Sequence, residues 1–313
     1  MYKWKYLKTF IFSSLVLTSC GGNDTNLRIV SLSTTHSEIL LGLEVEDIVV
    51  GVDMFVALDN PYSIQRIDSF KNSIEDILSL QPTHVIMAFP NNELRKELLN
   101  NNVQTLLLLP ARNIEDVYSQ IILISELVEK QEKAQEIVSL MKEEMELIIR
   151  DSQPNGKRIY HELGYSYGIY SVNKNSMLGS FYETLGFRNI TNNIPSKYGG
   201  GYPEVQEAII LERDPEIIIL GHQESLNSHP RNRPNWINVS AVQTGDILYL
   251  DENLANNWGI SSVELLRTIA VETGVLVLKQ DKSTNTDYWY IYIFTIPILL
   301  LIMKAKRKTK ENR

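Results

Sequence analysis

Three histidines, His36, His161 and His222, stand at or near the ends of apolar runs, where they could offer nitrogen ligands to a metal ion. Zinc takes three or four His, Cys or carboxylate ligands. Here no two histidines are closely spaced and no loop is rich in them. Glu162 beside His161 could form an acid–base pair, with Ser166 as nucleophile, but the chain has no G-x-S-x-G elbow, no P-loop and no G-x-G-x-x-G after a strand. The run Gly199-Gly200-Gly201 lacks the Lys-Ser/Thr of a phosphate loop and reads as a turn. No catalytic residue, resident cofactor or metal is therefore expected. What remains is aromatic: Phe55, Phe89, Tyr165, Tyr202 and Trp258 lie in segments that follow apolar runs, near hydroxyls and amides. Such a set suits a large, flat, partly apolar ligand, with the polar groups fixing its orientation.

These segments need a scaffold, and the hydrophobic pattern supplies one. RIVSLS (28–33), DIVVGVD (47–53), THVIMAF (83–89) and VQTLLLL (103–109) are near-continuous apolar runs. Helical periodicity separates most of them, and this βαβα alternation predicts a parallel sheet with helices on both faces. After Pro110, Asn113 is an expected N-cap, with Glu115 and Asp116 in the first turn. One long helical stretch then runs to about Arg150, with a possible break near Glu129-Lys130. A second α/β run follows, with strands RIYHELG (158–164), EIIILGH (216–222) and DILYLDE (246–252).

The two halves share a phrase. SIEDILSLQPTHVI (73–86) and QEAIILERDPEIII (206–219) each carry an acidic residue, an amphipathic helical run, a proline and a burst of β-branched residues. The fold class expected is α/β: two similar lobes, each a parallel-rich sheet flanked by helices, joined by one long helix, with a ligand cleft between the lobes. Ligands of open α/β sheets bind beyond the carboxyl ends of the strands, where the aromatics fall. The expected organisation is an N-terminal lobe at 28–112, a connecting helical segment at 113–150 and a C-terminal lobe at 151–278.

The ends differ from this body. Residues 1–20 combine Lys3, Lys5 and Lys8 with a short apolar stretch and Leu-Thr-Ser-Cys, an export signal with Cys20, the sole cysteine, as the lipidation point. At the other end a linker (279–287) leads to the uncharged run 288–303 and a basic tail (304–313), read as a transmembrane anchor and cytoplasmic tail. Nine of the 30 Lys+Arg and one of the 38 Asp+Glu lie in residues 1–20 and 288–313, so the remainder carries a net charge of −16. That argues against nucleic acid as a partner. The location expected is the extracytoplasmic face of the cell membrane, and a monomer is expected.

RIVSLSTTHSEILLGLEVEDIVVGVD, SIEDILSLQPTHVI, YPEVQEAIILERDPEIII and WINVSAVQTGDILYLDENL together resemble the class III substrate-binding proteins of ABC importers for cobalamin, haem and iron–siderophore complexes. The likeness covers about residues 28–274. It implies an ABC permease and its ATPase as partners and a small-molecule ligand. It also implies an acidic docking residue on each lobe: Glu75 on the first, and Glu207, or alternatively Glu204, on the second. SHPRNRPNW (228–236) resembles the R-x-R-P-G-W segment of corrinoid binders, with Asn235 in place of Gly. A cobalamin-like corrinoid is the ligand this favours, with haem or a ferric siderophore as the alternative.

Overall fold

The computed structural model describes residues 27–56, 64–69, 71, 73–166, 168–197, 199–222, 228–255 and 258–277. The N-terminal apolar runs become β1 (Ile29–Leu32), β2 (Val49–Asp53), β4 (His84–Met87) and β5 (Gln104–Leu107), and a short β3 (Gln65–Ile67) adds an edge. All pairings are parallel, in the order β3-β2-β1-β4-β5. α1 (Thr34–Gly42), α2 (Ile74–Ser79) and α3 (Asn92–Asn100) connect them. β1 is buried along its whole length, as a central parallel strand covered on both faces must be.

The second sheet is built from β6 (Arg158–Gly164), β9 (Ile217–Leu220) and β10 (Ile247–Tyr249), all parallel. Antiparallel β7 (Tyr170–Ser171) closes one edge, and β8 (Arg188–Asn189) pairs with the start of β6. α6 (Met177–Thr184), α7 (Glu207–Arg213), α8 (Ser240–Thr244), α9 (Glu252–Ala255) and α10 (Ser262–Glu272) complete the second half.

The connecting segment corrects one detail of the expected architecture. Instead of one long helix there are two, α4 (Ile114–Leu127) and α5 (Gln131–Asp151), packed on each other. Glu129 takes a left-handed φ of 55°, and Lys130 N–H donates to Ser125 O at 2.9 Å. This six-to-one bond is the reversal that ends helices in a Schellman motif, and here it forms without glycine. The start of α4 is as read: Asn113 accepts a hydrogen bond from Asp116 N at 3.0 Å. α10 packs against α5. One contiguous core joins Ile29 and Val52 of the first sheet, Ile121 and Met145 of α4 and α5, and Phe181 and Leu266 of the second half. Two smaller clusters fill the outer side of each sheet, around Val30 and Val85 and around Tyr160 and Trp236.

Candidate functional site

The strands of the first sheet all end at the same edge, and the side chains past those ends are apolar and open. Phe55 is 63% exposed, Phe89 57% and Leu109 55%. Exposed apolar side chains of this size past the strand ends of one sheet are unusual on a surface that serves no ligand or partner. Their loops are held from beneath. Asp53, buried at the end of β2, accepts from Thr34 Oγ1 at 3.1 Å, from Phe55 N at 3.0 Å and from Ser69 Oγ. One carboxylate thus ties the loops after β1, β2 and β3 together and fixes the turn that presents Phe55. Similarly, His36 meets Gln120 Oε1 through Nε2 at 3.2 Å, while Gln120 Nε2 donates to Leu109 O at 2.7 Å. Burial pushes the His36 imidazole down to about 4, only partly opposed by Gln120, so it is neutral.

The second sheet contributes a different surface. Tyr202 and Trp258 stack with ring centroids 6.2 Å apart and planes 11° from parallel. Gly199, Gly200 and Gly201 all adopt positive φ. At Gly201 a Cβ would come within 2.5 Å of Ser176 N, so this turn admits only glycine and thereby sets Tyr202 in place. Trp258 N–H donates to Thr35 Oγ1 at 3.2 Å, and Ser261 N–H donates to Glu38 Oε1 at 2.9 Å. Thr35 and Glu38 lie on α1, so the loop before α10 fastens the second half to the carboxyl-end edge of the first.

Beneath Tyr165, past the end of β6, lies a charge cluster. Glu162 is fully buried and accepts two hydrogen bonds from the Arg233 guanidinium, at 2.7 and 2.5 Å. His222 Nε2 lies 2.9 Å from the same carboxylate and Tyr160 OH donates to it at 3.1 Å. Burial alone would raise the Glu162 carboxyl, but Arg233 and His222 outweigh it and hold it below its usual value. The Arg233 guanidinium lies 3.6 Å from the Tyr165 ring centroid and 4.5 Å from that of Trp236.

The predicted residues separate accordingly. Phe55 and Phe89 project from the first sheet's edge, Tyr165 from the second, and Tyr202 and Trp258 form a pair beside the α1 contact. The histidines do not converge: His36 is held by Gln120, His161 Nδ1 by Tyr182 OH at 2.6 Å, and His222 by Glu162. Among the described residues no three His, Cys, Asp or Glu are grouped to hold a metal ion. Ser166 is exposed, and Glu162 is locked into an ion pair rather than poised as a base. Glu75 is exposed on the first turn of α2. Glu207 and Glu204 differ in surroundings: the Glu207 carboxylate accepts from Trp236 Nε1 at 2.6 Å and from Tyr165 OH at 3.5 Å, whereas Glu204 is exposed. The reason is the register of α7. Glu207 is its first residue while Glu75 is the second of α2, and the position matching Glu75 holds Ala208. Asp53, Gln120, Glu38 and the Glu162–Arg233 pair escaped the sequence reading. A charged residue inside the apolar run RIYHELG was the available signal, since a buried carboxylate requires a partner.

Two parallel-rich sheets flanked by helices, with aromatic side chains past strand ends of each, give the α/β fold of a solute-binding protein. The chain belongs to the periplasmic binding protein family, whose family model matches residues 29–254. It is thus an extracytoplasmic substrate-binding protein of the class III, ABC-importer type, and not an enzyme. It is 21% identical over 252 residues to the ABC transporter substrate-binding lipoprotein YvrC of Bacillus subtilis (strain 168), covering 78% of each chain. Among solved structures it resembles the periplasmic haem-binding protein HutB of Vibrio cholerae (TM-score 0.69, 15% identity, 79% of this chain and 98% of that one). It also resembles the periplasmic vitamin B12-binding protein BtuF of Vibrio cholerae (TM-score 0.64, 19% identity, 79% and 96%). A possible iron-binding protein of Staphylococcus epidermidis ATCC 12228 is similar too (TM-score 0.68, 20% identity, 78% and 97%).

These findings correct the expected mode of anchoring. No described helix is long and apolar enough to cross a membrane, and the relative in Bacillus subtilis is a lipoprotein. The transmembrane anchor expected at 288–303 thus has no support among the described residues; that run and Cys20 lie outside them.

Proposed function

We propose that this protein captures a cobalamin-like corrinoid between its two lobes and delivers it to an ABC permease and its ATPase. The observation that carries the reading is the apolar rim of Phe55, Phe89 and Leu109, open at the strand ends of one sheet, with Tyr165 and the Tyr202–Trp258 stack on the other. A broad, flat, weakly charged ligand fits such surfaces. An anionic chelate would call for free cations, and Arg233, the cation beneath Tyr165, is already neutralised by Glu162. In this reading the lobes are 28–112 and 151–278 with 113–150 connecting them, the protein is a monomer, and a lipid on Cys20 holds it at the membrane surface. Glu75 and the exposed Glu204 are its docking contacts, two weak ion pairs that fix orientation more than affinity.

Calorimetric titration of the full-length protein with cobalamin, hemin and a ferric hydroxamate tests the assignment. Sub-micromolar binding of cobalamin alone is expected, and binding of either comparator in its place overturns it. Haem is the second reading, on one observation: Tyr249 is 58% exposed at the carboxyl end of β10, with the His229 ring centroid 6.2 Å from its own. Tyrosine and histidine are both ferric-haem ligands. Hemin binding that Tyr249→Phe abolishes would favour it.

A further inference from the structure

We propose that Arg233 is a positioning residue for ligand capture: clamped by the buried Glu162 carboxylate, its guanidinium holds the Tyr165 ring as a fixed platform at the mouth of the second lobe. The proposal rests on the reading of the cleft given above and deepens it. Arg233 is 4% exposed, so its planar group offers nothing to solvent or ligand directly. Its edge is taken by the two bonds to Glu162 and by its Nε–H, which donates to Ser228 O at 2.5 Å. Its faces are left for aromatic rings, and the Tyr165 and Trp236 rings lie 3.6 and 4.5 Å away.

The fork geometry makes this arrangement specific to arginine. A bidentate guanidinium–carboxylate pair is coplanar, so fixing Glu162 fixes the plane on which Tyr165 rests. Glu162 is in turn fixed by His222 and Tyr160 from other directions. The Tyr165 hydroxyl points to Glu207, which also receives Trp236 Nε1 at 2.6 Å. The ring is therefore held at its face and at its tip. A platform ordered before the ligand arrives spares the rotamer entropy that binding would otherwise have to supply. Charge satisfaction alone does not require this design, because a lysine could neutralise Glu162 without presenting a flat face.

The experiment uses the full chain with 3-fluorotyrosine placed at position 165, in wild type, Arg233→Lys and the double variant Glu162→Gln/Arg233→Met. The double variant removes both charges, which protects against unfolding by an uncompensated buried carboxylate; folding of each is checked by circular dichroism. One narrow fluorine resonance is expected in wild type, and a shifted, broadened or divided one in both variants. A folded variant whose resonance matches wild type overturns the proposal.

The second arm measures affinity for whichever of cobalamin, hemin or ferric hydroxamate wild type binds. Arg233→Lys and Tyr165→Leu are each expected to weaken it about tenfold or more, the scale of a lost anchor contact. Combining them should weaken it little further, since both act through one ring. Independent, multiplying losses overturn the positioning role. If none of the three probes binds wild type, the proposed ligand class fails, while the fluorine resonances still decide whether Arg233 holds Tyr165.

Discussion

Lowering the pH from 7 to 5 should destabilise this protein through two imidazoles that have no contact with solvent. His36 and His161 are 1% and 0% exposed. Burial lowers His36 to about 4 and His161 to about 3; for His161 the neighbouring Glu162 pulls upward and His222 downward. In the unfolded chain both return to the ordinary 6.5. Because the folded values are depressed, the unfolded state binds more protons below 6.5. The stabilisation is complete above that pH and is lost as pH falls toward the folded values. At pH 5 the unfolded imidazoles lie 1.5 pH units below their titration point and the folded ones remain mostly neutral, a cost of about 2 kcal/mol each, or about 4 kcal/mol together. That is a large part of the stability of an ordinary domain, about 5–15 kcal/mol.

The assay is urea unfolding at pH 7, 6 and 5 on wild type and on His36→Gln/His161→Asn. Gln places an amide near the Nε2 that meets Gln120, and Asn places one near the Nδ1 that meets Tyr182. His84 and His229, also lowered by burial, and Glu264, raised by it, titrate in both proteins and cancel in the difference. The double variant should lose about 4 kcal/mol less than wild type between pH 7 and pH 5, and each single variant about 2 kcal/mol less. Parallel loss in wild type and double variant would refute the reasoning, because the buried imidazoles would then be protonated within the fold.

Three further outcomes are expected. Glu162→Gln at pH 7 leaves the Arg233 charge buried without its counter-ion and should cost about 3 kcal/mol or more in urea unfolding; a change under about 1 kcal/mol would show that the pair is not closed in solution. Gly179→Ala would place a Cβ 1.9 Å from Asn173 O, a backbone atom that cannot swing aside, so a loss of about 1–3 kcal/mol in unfolding free energy is expected. Glu75→Ala and Glu204→Ala should leave ligand affinity unchanged and lower uptake in vesicles carrying the permease, whereas Glu207→Ala should lower the melting temperature by freeing Trp236 Nε1. Loss of ligand affinity in Glu75→Ala would place that residue in the wrong role.

Much of the scaffold was written locally. Apolar runs such as RIVSLS and EIIILGH read as buried strands, and Asn113 stands where a helix N-cap must stand. The repeated phrase at 73–86 and 206–219 gave the two-sheet plan, because the same amphipathic helix and strand recur before the same proline. Short elements such as β3 and β7 were not legible, since two or three residues carry no periodicity and pair only when a neighbouring strand is present.

The site was legible by kind and not by arrangement. Sequence alone determined that aromatic residues would follow the strands, because strand ends are set by local pattern. Only tertiary structure decided which carboxylates serve them. Asp53 reaches Thr34 and Ser69 across 19 and 16 residues, and Glu162 reaches Arg233 across 71. Glu207 and Glu204 read alike in the chain, yet one lies against Trp236 and the other faces water. Hydrophobic period fixes which way a side chain points from its own element. Whether a charge meets a partner or solvent there depends on what other elements bring to the same place, and that is settled only when the sheets and helices pack.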